Sequence, residues 1–243
     1  MTPAIRGAQA GAVNFRDVGG LPAASGVTRH GVLFRSGTLA RLEAPAQSEI
    51  ARLAIRRVVD LRDDAEVASE PSRLEPPVAD TVRVPLFLGS VASFFANDVS
   101  LGELYAHIVD DSAPRLVEVA RAVIGVQPVL VHCTAGKDRT GVSVAMVLAA
   151  AGVEEDAVVA DYARTASMLS PERNRRIVAW LRAAHPDAVH LEELATASPA
   201  PVMRDLLDGI RARYGSAADY LRAAGLGDDE VRELRRVLVA PEG

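Results

Sequence analysis

The only cysteine of the chain, Cys133, stands six positions before Arg139, and the only lysine, Lys137, lies between them. The other 26 basic residues are all arginine. A thiol that ionises is a strong nucleophile, and inward-facing backbone dipoles with a nearby guanidinium favour its thiolate form. Arginine offers a planar fork matched to two oxygens of a phosphate. Cys133-Thr134-Ala135-Gly136-Lys137-Asp138-Arg139-Thr140-Gly141 therefore holds a nucleophile and an oxyanion clamp within one turn of chain. Gly136 permits the unusual dihedrals of a tight curl. The amides of Thr134, Ala135, Gly136 and Lys137 would face inward as an anion nest at a helix N-terminus. Thr140 is placed to donate its hydroxyl to the Cys133 sulfur. Such a loop suits covalent catalysis in two displacements, through a phosphocysteine that water then hydrolyses. Phosphate monoesters are among the slowest esters to hydrolyse unaided, and preorganised charge is what lowers that barrier.

The elements that position this loop are legible on both sides. Pro128 to His132 is an apolar, β-branched run and reads as a buried strand ending at Cys133. Thr140 to Ala151 is small and apolar, a buried helix stopped by Gly152. Further strands are expected at Val13–Phe15, Val32–Ser36, Arg57–Leu61 and Thr81–Pro85, with a helix over Ala46–Leu53. Glu103 to Ile124 has helical spacing and a break near Asp110–Pro114. From Val153 onward only helices are expected, one of them opened by Ser170-Pro171. The fold class is α/β: a mostly parallel central sheet flanked by helices, with a helical C-terminal portion. One domain over 1–243 is expected, with 1–152 as the α/β core and 153–243 as the helical portion. The loop then lies at the carboxyl end of a central strand, where α/β proteins bind ligands.

Bulk properties narrow the function classes. A net charge of −5 argues against a nucleic-acid partner. One cysteine excludes an intrachain disulfide, and the first dozen residues lack a signal-peptide pattern. No run of eighteen apolar residues exists, so stable membrane insertion is not expected. A cytoplasmic location follows, with unconventional secretion left open. The five histidines are scattered, so neither a metal nor another cofactor is expected. The oligomeric state is not encoded in any pattern found.

His-Cys-x5-Arg-Thr-Gly resembles the signature of the protein tyrosine phosphatases. The narrower Gly136-Lys137-Asp138-Arg139-Thr140-Gly141 is similar to that of the bacterial atypical tyrosine phosphatases. Asn14-Phe15-Arg16-Asp17-Val18, Leu33-Phe34-Arg35-Ser36, Val59-Asp60-Leu61-Arg62, Ala160-Asp161-Tyr162 and Tyr214-Gly215-Ser216 follow the same family in the same order. The resemblance implies Cys133 as nucleophile and Arg139 as phosphate ligand. It implies Asp138 as general acid, the alternative being a carboxylate that braces the loop by pairing with an arginine. Asp60 would be a supporting carboxylate, paired with Arg139 or Arg62 or positioning water. Lys137 would add charge at the loop mouth, as in members that also accept phosphoserine, phosphothreonine or phosphoinositides. Asp98 is a second candidate acid, against a plain loop aspartate, and His132 reads as a core histidine. Arg16, Arg35 and Arg62 are candidates for the pocket wall. Leu86–Gly102, with Phe94-Phe95, is shorter than the insertion that forms a lid in the family, so only a short cover is expected there. The expected partners are a phosphorylated protein, a phosphoinositide or a small phosphomonoester. Arsenate reduction normally needs a resolving cysteine, which is absent, and a binding module that lost catalysis would not retain both Cys133 and Arg139.

Overall fold

The computed structural model describes residues 12–74, 80–86 and 97–241. Among these, eight strands form two sheets. In chain order they are β1 (Arg16–Asp17), β2 (Pro22–Ala23), β3 (Gly26–Thr28), β4 (Leu33–Ser36), β5 (Arg57–Asp60), β6 (Asp80–Arg83), β7 (Val129–His132) and β8 (Val239–Ala240). The main sheet has the order β1-β4-β7-β5-β6. Its last four strands run parallel, and β1 is an antiparallel edge. The mostly parallel α/β sheet expected from the sequence is observed.

Parallel strands covered on both faces must be apolar on both, and β7 is. Its Val129 and Val131 point with Leu33 and Val59 into the larger core. Its Leu130 points with Phe34 and Val58 into a smaller core, under Ala46 and Ile50 of α1 (Ala44–Arg52). The period of two thus sends one strand into two cores. The register sets Ser36, His132 and Asp60 level at the carboxyl ends of β4, β7 and β5.

Connections supply the helices. α2 (Asp64–Ser69) follows β5, and α3 (Leu101–Asp111) and α4 (Ala113–Gly125) precede β7, with Ser112 as the break foreseen near Asp110–Pro114. α5 (Asp138–Ala150) leaves the curl and is buried almost all round, which its small residues allow. Then follow α6 (Glu155–Ala163), α7 (Thr165–Met168), α8 (Pro171–Ala184), α9 (Leu191–Thr196), α10 (Ala200–Tyr214), α11 (Ala217–Ala223) and α12 (Asp228–Leu238). Ser170 caps α8 through the Arg173 amide, as its position before proline predicts.

Three expectations need correction. The chain after Val153 is not helical throughout, because β8 closes an antiparallel sheet with β2 and β3. The first strand of the main sheet lies at Arg16–Asp17 rather than Val13–Phe15, since Asn14 takes a left-handed turn (φ 53°). The Val153–Met168 helix is two helices, α6 and α7, meeting at Arg164.

Candidate active site

β7 delivers Cys133, 3 % exposed, to the sheet edge. The curl after it is gripped from behind. Asn14 Nδ2 donates to Gly136 O at 2.8 Å, and Arg35 Nη2 donates to the same oxygen at 2.9 Å. Thr38 N donates to Thr134 O at 2.9 Å, and Asn14 Nδ2 reaches Ala135 O at 3.4 Å. A trans peptide holds its C=O and N–H on opposite sides. Three carbonyls turned back therefore turn the amides of Ala135, Gly136 and Lys137 the other way. Gly136 is required here twice over. Its φ is +67°, and a Cβ would lie 2.5 Å from the Ser36 carbonyl.

The back wall is itself fixed by a buried ionic cluster. Asp161, 2 % exposed, accepts from Arg16 Nε and Arg35 Nη1, each at 2.7 Å. Burial pushes its carboxyl up, but the charges of Arg35 and Arg16 prevail and hold it below the usual range. Burial, with repulsion from Arg35, lowers Arg16 to about 10, still cationic at neutral pH. Of the three arginines considered for the pocket wall, Arg16 and Arg35 brace the loop instead.

Arg139 rises from the first turn of α5 and meets a partner not foreseen from the sequence. Its Nη1 and Nη2 donate to the two carboxylate oxygens of Glu66 at 2.6 and 2.7 Å. Thr134 Oγ1 donates to Glu66 Oε1 at 2.5 Å. Glu66 Oε2 also accepts from the Asp63 amide at 3.0 Å, while Asp63 caps the Glu66 amide. That reciprocal pair is a capping box. Burial raises the Glu66 carboxyl, but the Arg139 hydrogen bond and charge dominate and bring it down to about 2. Arg139 is raised in turn, burial opposing while Glu66 and the Cys133 charge favour the cation. The signal that could have revealed Glu66 is Asp63-x-x-Glu66 directly after a strand that ends in the active layer.

Asp138 sits at the first position of α5 and is braced, though not by an arginine. Its Oδ1 accepts from Tyr105 Oη at 2.9 Å and forms an ion pair with Lys137 Nζ at 2.8 Å. Tyr105 Oη lies 2.7 Å from Tyr162 Oη. Burial, with the neighbouring Asp138 charge, raises the Tyr105 phenol well above its usual range, so it remains a donor. Among the described residues nothing donates to Asp138 Oδ2. One oxygen is pinned and the other is not.

Lys137 is 1 % exposed, and its ammonium also donates to Ala197 O at 2.8 Å. Asp60 pairs with Arg62 and not with Arg139: Arg62 Nε reaches Oδ1 at 2.9 Å and Nη2 reaches Oδ2 at 2.7 Å. Arg62 Nη1 continues to Glu70 O at 2.7 Å, so the pair ties the end of β5 to the end of α2. Burial lowers His132 to about 4, against the pull of Asp60, and the ring is neutral at pH 7. The Thr140 hydroxyl is buried but makes no hydrogen bond, so its expected bond to the Cys133 sulfur is not formed. Asp98 accepts from the His190 amide at 2.8 Å, just before α9.

The expected short cover falls largely on residues 87–96, which with Phe94-Phe95 lie outside the described residues. What does stand beside the loop is the hairpin of α8 and α9. Ala197, just after α9, takes the Lys137 bond. Arg173, in the first turn of α8, feels the charges of Asp138 and Cys133, although burial lowers it overall.

The model of the tyrosine phosphatase family matches residues 8–240. The chain belongs to that family. It is a hydrolase of the tyrosine phosphatase type. The triple specificity protein phosphatase PtpB of Mycobacterium tuberculosis is 32 % identical, over 94 % of this chain and 97 % of that protein. A tyrosine-protein phosphatase of Nostoc commune is 29 % identical, over 83 % of this chain and 72 % of that protein. The resemblance carried by the His-Cys-x5-Arg-Thr-Gly loop is thus that of a bacterial phosphatase over nearly the whole chain. No helix among the described residues is long and apolar enough to cross a membrane.

Proposed function

We propose that this phosphatase hydrolyses phosphotyrosine, and also phosphoserine, phosphothreonine or phosphoinositides, through a phosphocysteine on Cys133. The observation that carries this reading is the set of loop carbonyls turned onto Asn14, Arg35 and Thr38, which leaves inward amides opposite Arg139 and above a buried sulfur. The amides from Thr134 to Lys137 and the Arg139 guanidinium hold the phosphoryl oxygens. The Cys133 thiolate attacks phosphorus, and an S–P bond forms as the bond to the leaving oxygen breaks. Asp138 Oδ2 gives that oxygen its proton. Water then attacks phosphorus and passes a proton to the Asp138 carboxylate, and the S–P bond breaks to restore the thiolate. Glu66 and Asp60 act at a distance, Glu66 by aligning Arg139 and Asp60 by anchoring Arg62. Lys137, whose ammonium donates to Ala197 O and pairs with Asp138, adds positive charge beside the loop, from which an inositol phosphate gains more than a phosphotyrosine. The relative named for triple specificity supports this breadth of substrate.

The test of the covalent step is Cys133→Ser. It should abolish turnover of p-nitrophenyl phosphate and still bind vanadate. Turnover retained in that variant would end the mechanism. A panel of phosphotyrosine peptide, phosphoserine peptide, phosphoinositide and small phosphomonoesters then ranks the substrates.

A further inference from the structure

The hairpin of α8 and α9 packs around a small apolar cluster of its own, formed by Leu181, Ala188, Leu191 and Ala195 with Ile177 and Val178. Trp180 faces away from it and is 67 % exposed, and Val189 in the connecting turn is 77 % exposed. Trp180 is the only tryptophan of the chain. On the outer face of α8, Arg176, Trp180 and Ala184 follow at steps of four, beside Arg175, Ala179 and Ala183, and all six are exposed. Neither Arg175 nor Arg176 makes an ion pair among the described residues. The stripe begins cationic and ends apolar, with an indole where the two meet. α8 holds four arginines against the single Glu172, in a chain whose net charge is −5. Glu172 and Asp187 are exposed at the two ends of this surface.

An indole is suited to the boundary between water and hydrocarbon, since its ring is apolar and its N–H is polar. Arginines beside it meet acidic headgroups, each drawn by the surface potential of an anionic leaflet. We propose that the outer face of α8, through Arg175, Arg176 and Trp180, with Val189 in the turn, docks on a bilayer that contains anionic phospholipid. The N-terminal end of the same stripe carries Arg173, which feels the charges of Asp138 and Cys133. Arg173 and Trp180 are seven residues apart, about 10 Å along the axis. Docking would therefore hold the mouth of the phosphate loop close to the headgroup layer. The proposal goes beyond the phosphatase reading and does not rest on it, because docking is read without turnover.

The experiment uses the intact chain and the emission of Trp180. Vesicles of phosphatidylcholine with phosphatidylserine should shift that emission to shorter wavelength, and phosphatidylcholine alone should not. Added salt should reverse the shift, as screening requires. In co-sedimentation, the double variant Arg175→Glu with Arg176→Glu should lose at least about tenfold in vesicle affinity. Trp180→Ala should fall off the vesicles too, and both variants should keep wild-type turnover of p-nitrophenyl phosphate in solution. An emission spectrum unmoved by the anionic vesicles would overturn the proposal. So would variants that sediment like the wild type. A shift produced by an acidic polypeptide such as polyglutamate, with none on vesicles, would assign the face to a protein partner and reject the bilayer.

Discussion

Replacing Glu66 by glutamine tests whether Arg139 is aligned by a second carboxylate. Glu66 lies at about 2 against an ordinary 4.5. That gap corresponds to about 3 kcal/mol of preference for the carboxylate in the folded chain. Glutamine keeps one acceptor oxygen but turns an NH2 toward a guanidinium, so one charge-assisted bond is lost and about 2 kcal/mol with it. If the loss falls on the orientation of Arg139 at the transition state, kcat/KM drops roughly 30-fold. Vanadate affinity should weaken with it, whereas a purely structural carboxylate would move stability alone. The pH dependence has a definite sign. A depressed carboxyl stabilises the fold fully above 4.5, and that contribution is lost as pH falls toward 2. The difference in urea stability between wild type and Glu66→Gln should be constant near neutral pH and shrink below about pH 4. An unchanged kcat/KM with unchanged vanadate affinity would refute the alignment role. A stability difference as large at about pH 3 as at about pH 7 would refute its electrostatic origin.

Four further outcomes are expected. Asp138→Asn should slow substrates with poor leaving groups by about 100-fold or more and p-nitrophenyl phosphate much less. Tyr105→Phe, which removes the bond to Oδ1, should act in the same direction by roughly 3- to 10-fold, and equal losses on both substrates would remove the proton-donor role. Asp161→Asn leaves Arg16 and Arg35 buried against a neutral side chain and should cost about 3 to 5 kcal/mol in urea denaturation, a loss under 1 kcal/mol meaning the pair is solvated after all. Gly136→Ala should abolish vanadate binding and destabilise by at least about 2 kcal/mol, because its backbone is left-handed and the Ser36 carbonyl occupies the Cβ position. Vanadate bound with wild-type affinity by that variant would mean the curl tolerates a different path.

The sheet and the loop were legible because they are local in sequence. β4, β5, β6 and β7 and the helix pair α3 and α4 are written in runs of a few residues with clear periods and stops. The short strands β2, β3 and β8 were not legible. Each has two or three residues, too few for a period to develop, and β8 pairs with β3 across most of the chain. The proposed nucleophile and clamp and the loop glycine could be named because one curl demands all three within seven positions. Their supports could not. Glu66 reaches Arg139 across 73 positions, and Asp161 reaches Arg35 across 126. Which of the many arginines meets which carboxylate is decided by tertiary packing. An arginine that braces the loop from behind, such as Arg35, looks the same in sequence as one that lines a pocket. Asp60 shows the same limit, since both Arg62 and Arg139 were open to it and two positions of separation won.

The lone lysine gains a physical reason from its surroundings. At the mouth of the loop, one cation must reach both the Asp138 carboxylate and the Ala197 carbonyl from a position that is 1 % exposed. An ammonium is a compact charge whose three donors radiate from one atom, so it can serve two acceptors on different elements and keep one donor spare. A guanidinium is planar and spreads five donors over a wider fork. A fork of that width favours pairing with both carboxylate oxygens of Asp138 rather than one. Oδ2 of Asp138 would then be engaged, and on the proposed mechanism the leaving group would lose its proton donor. A chain that uses arginine at all 26 other basic positions therefore has cause to keep lysine at 137, both for the room it leaves and for the proposed acid it leaves free.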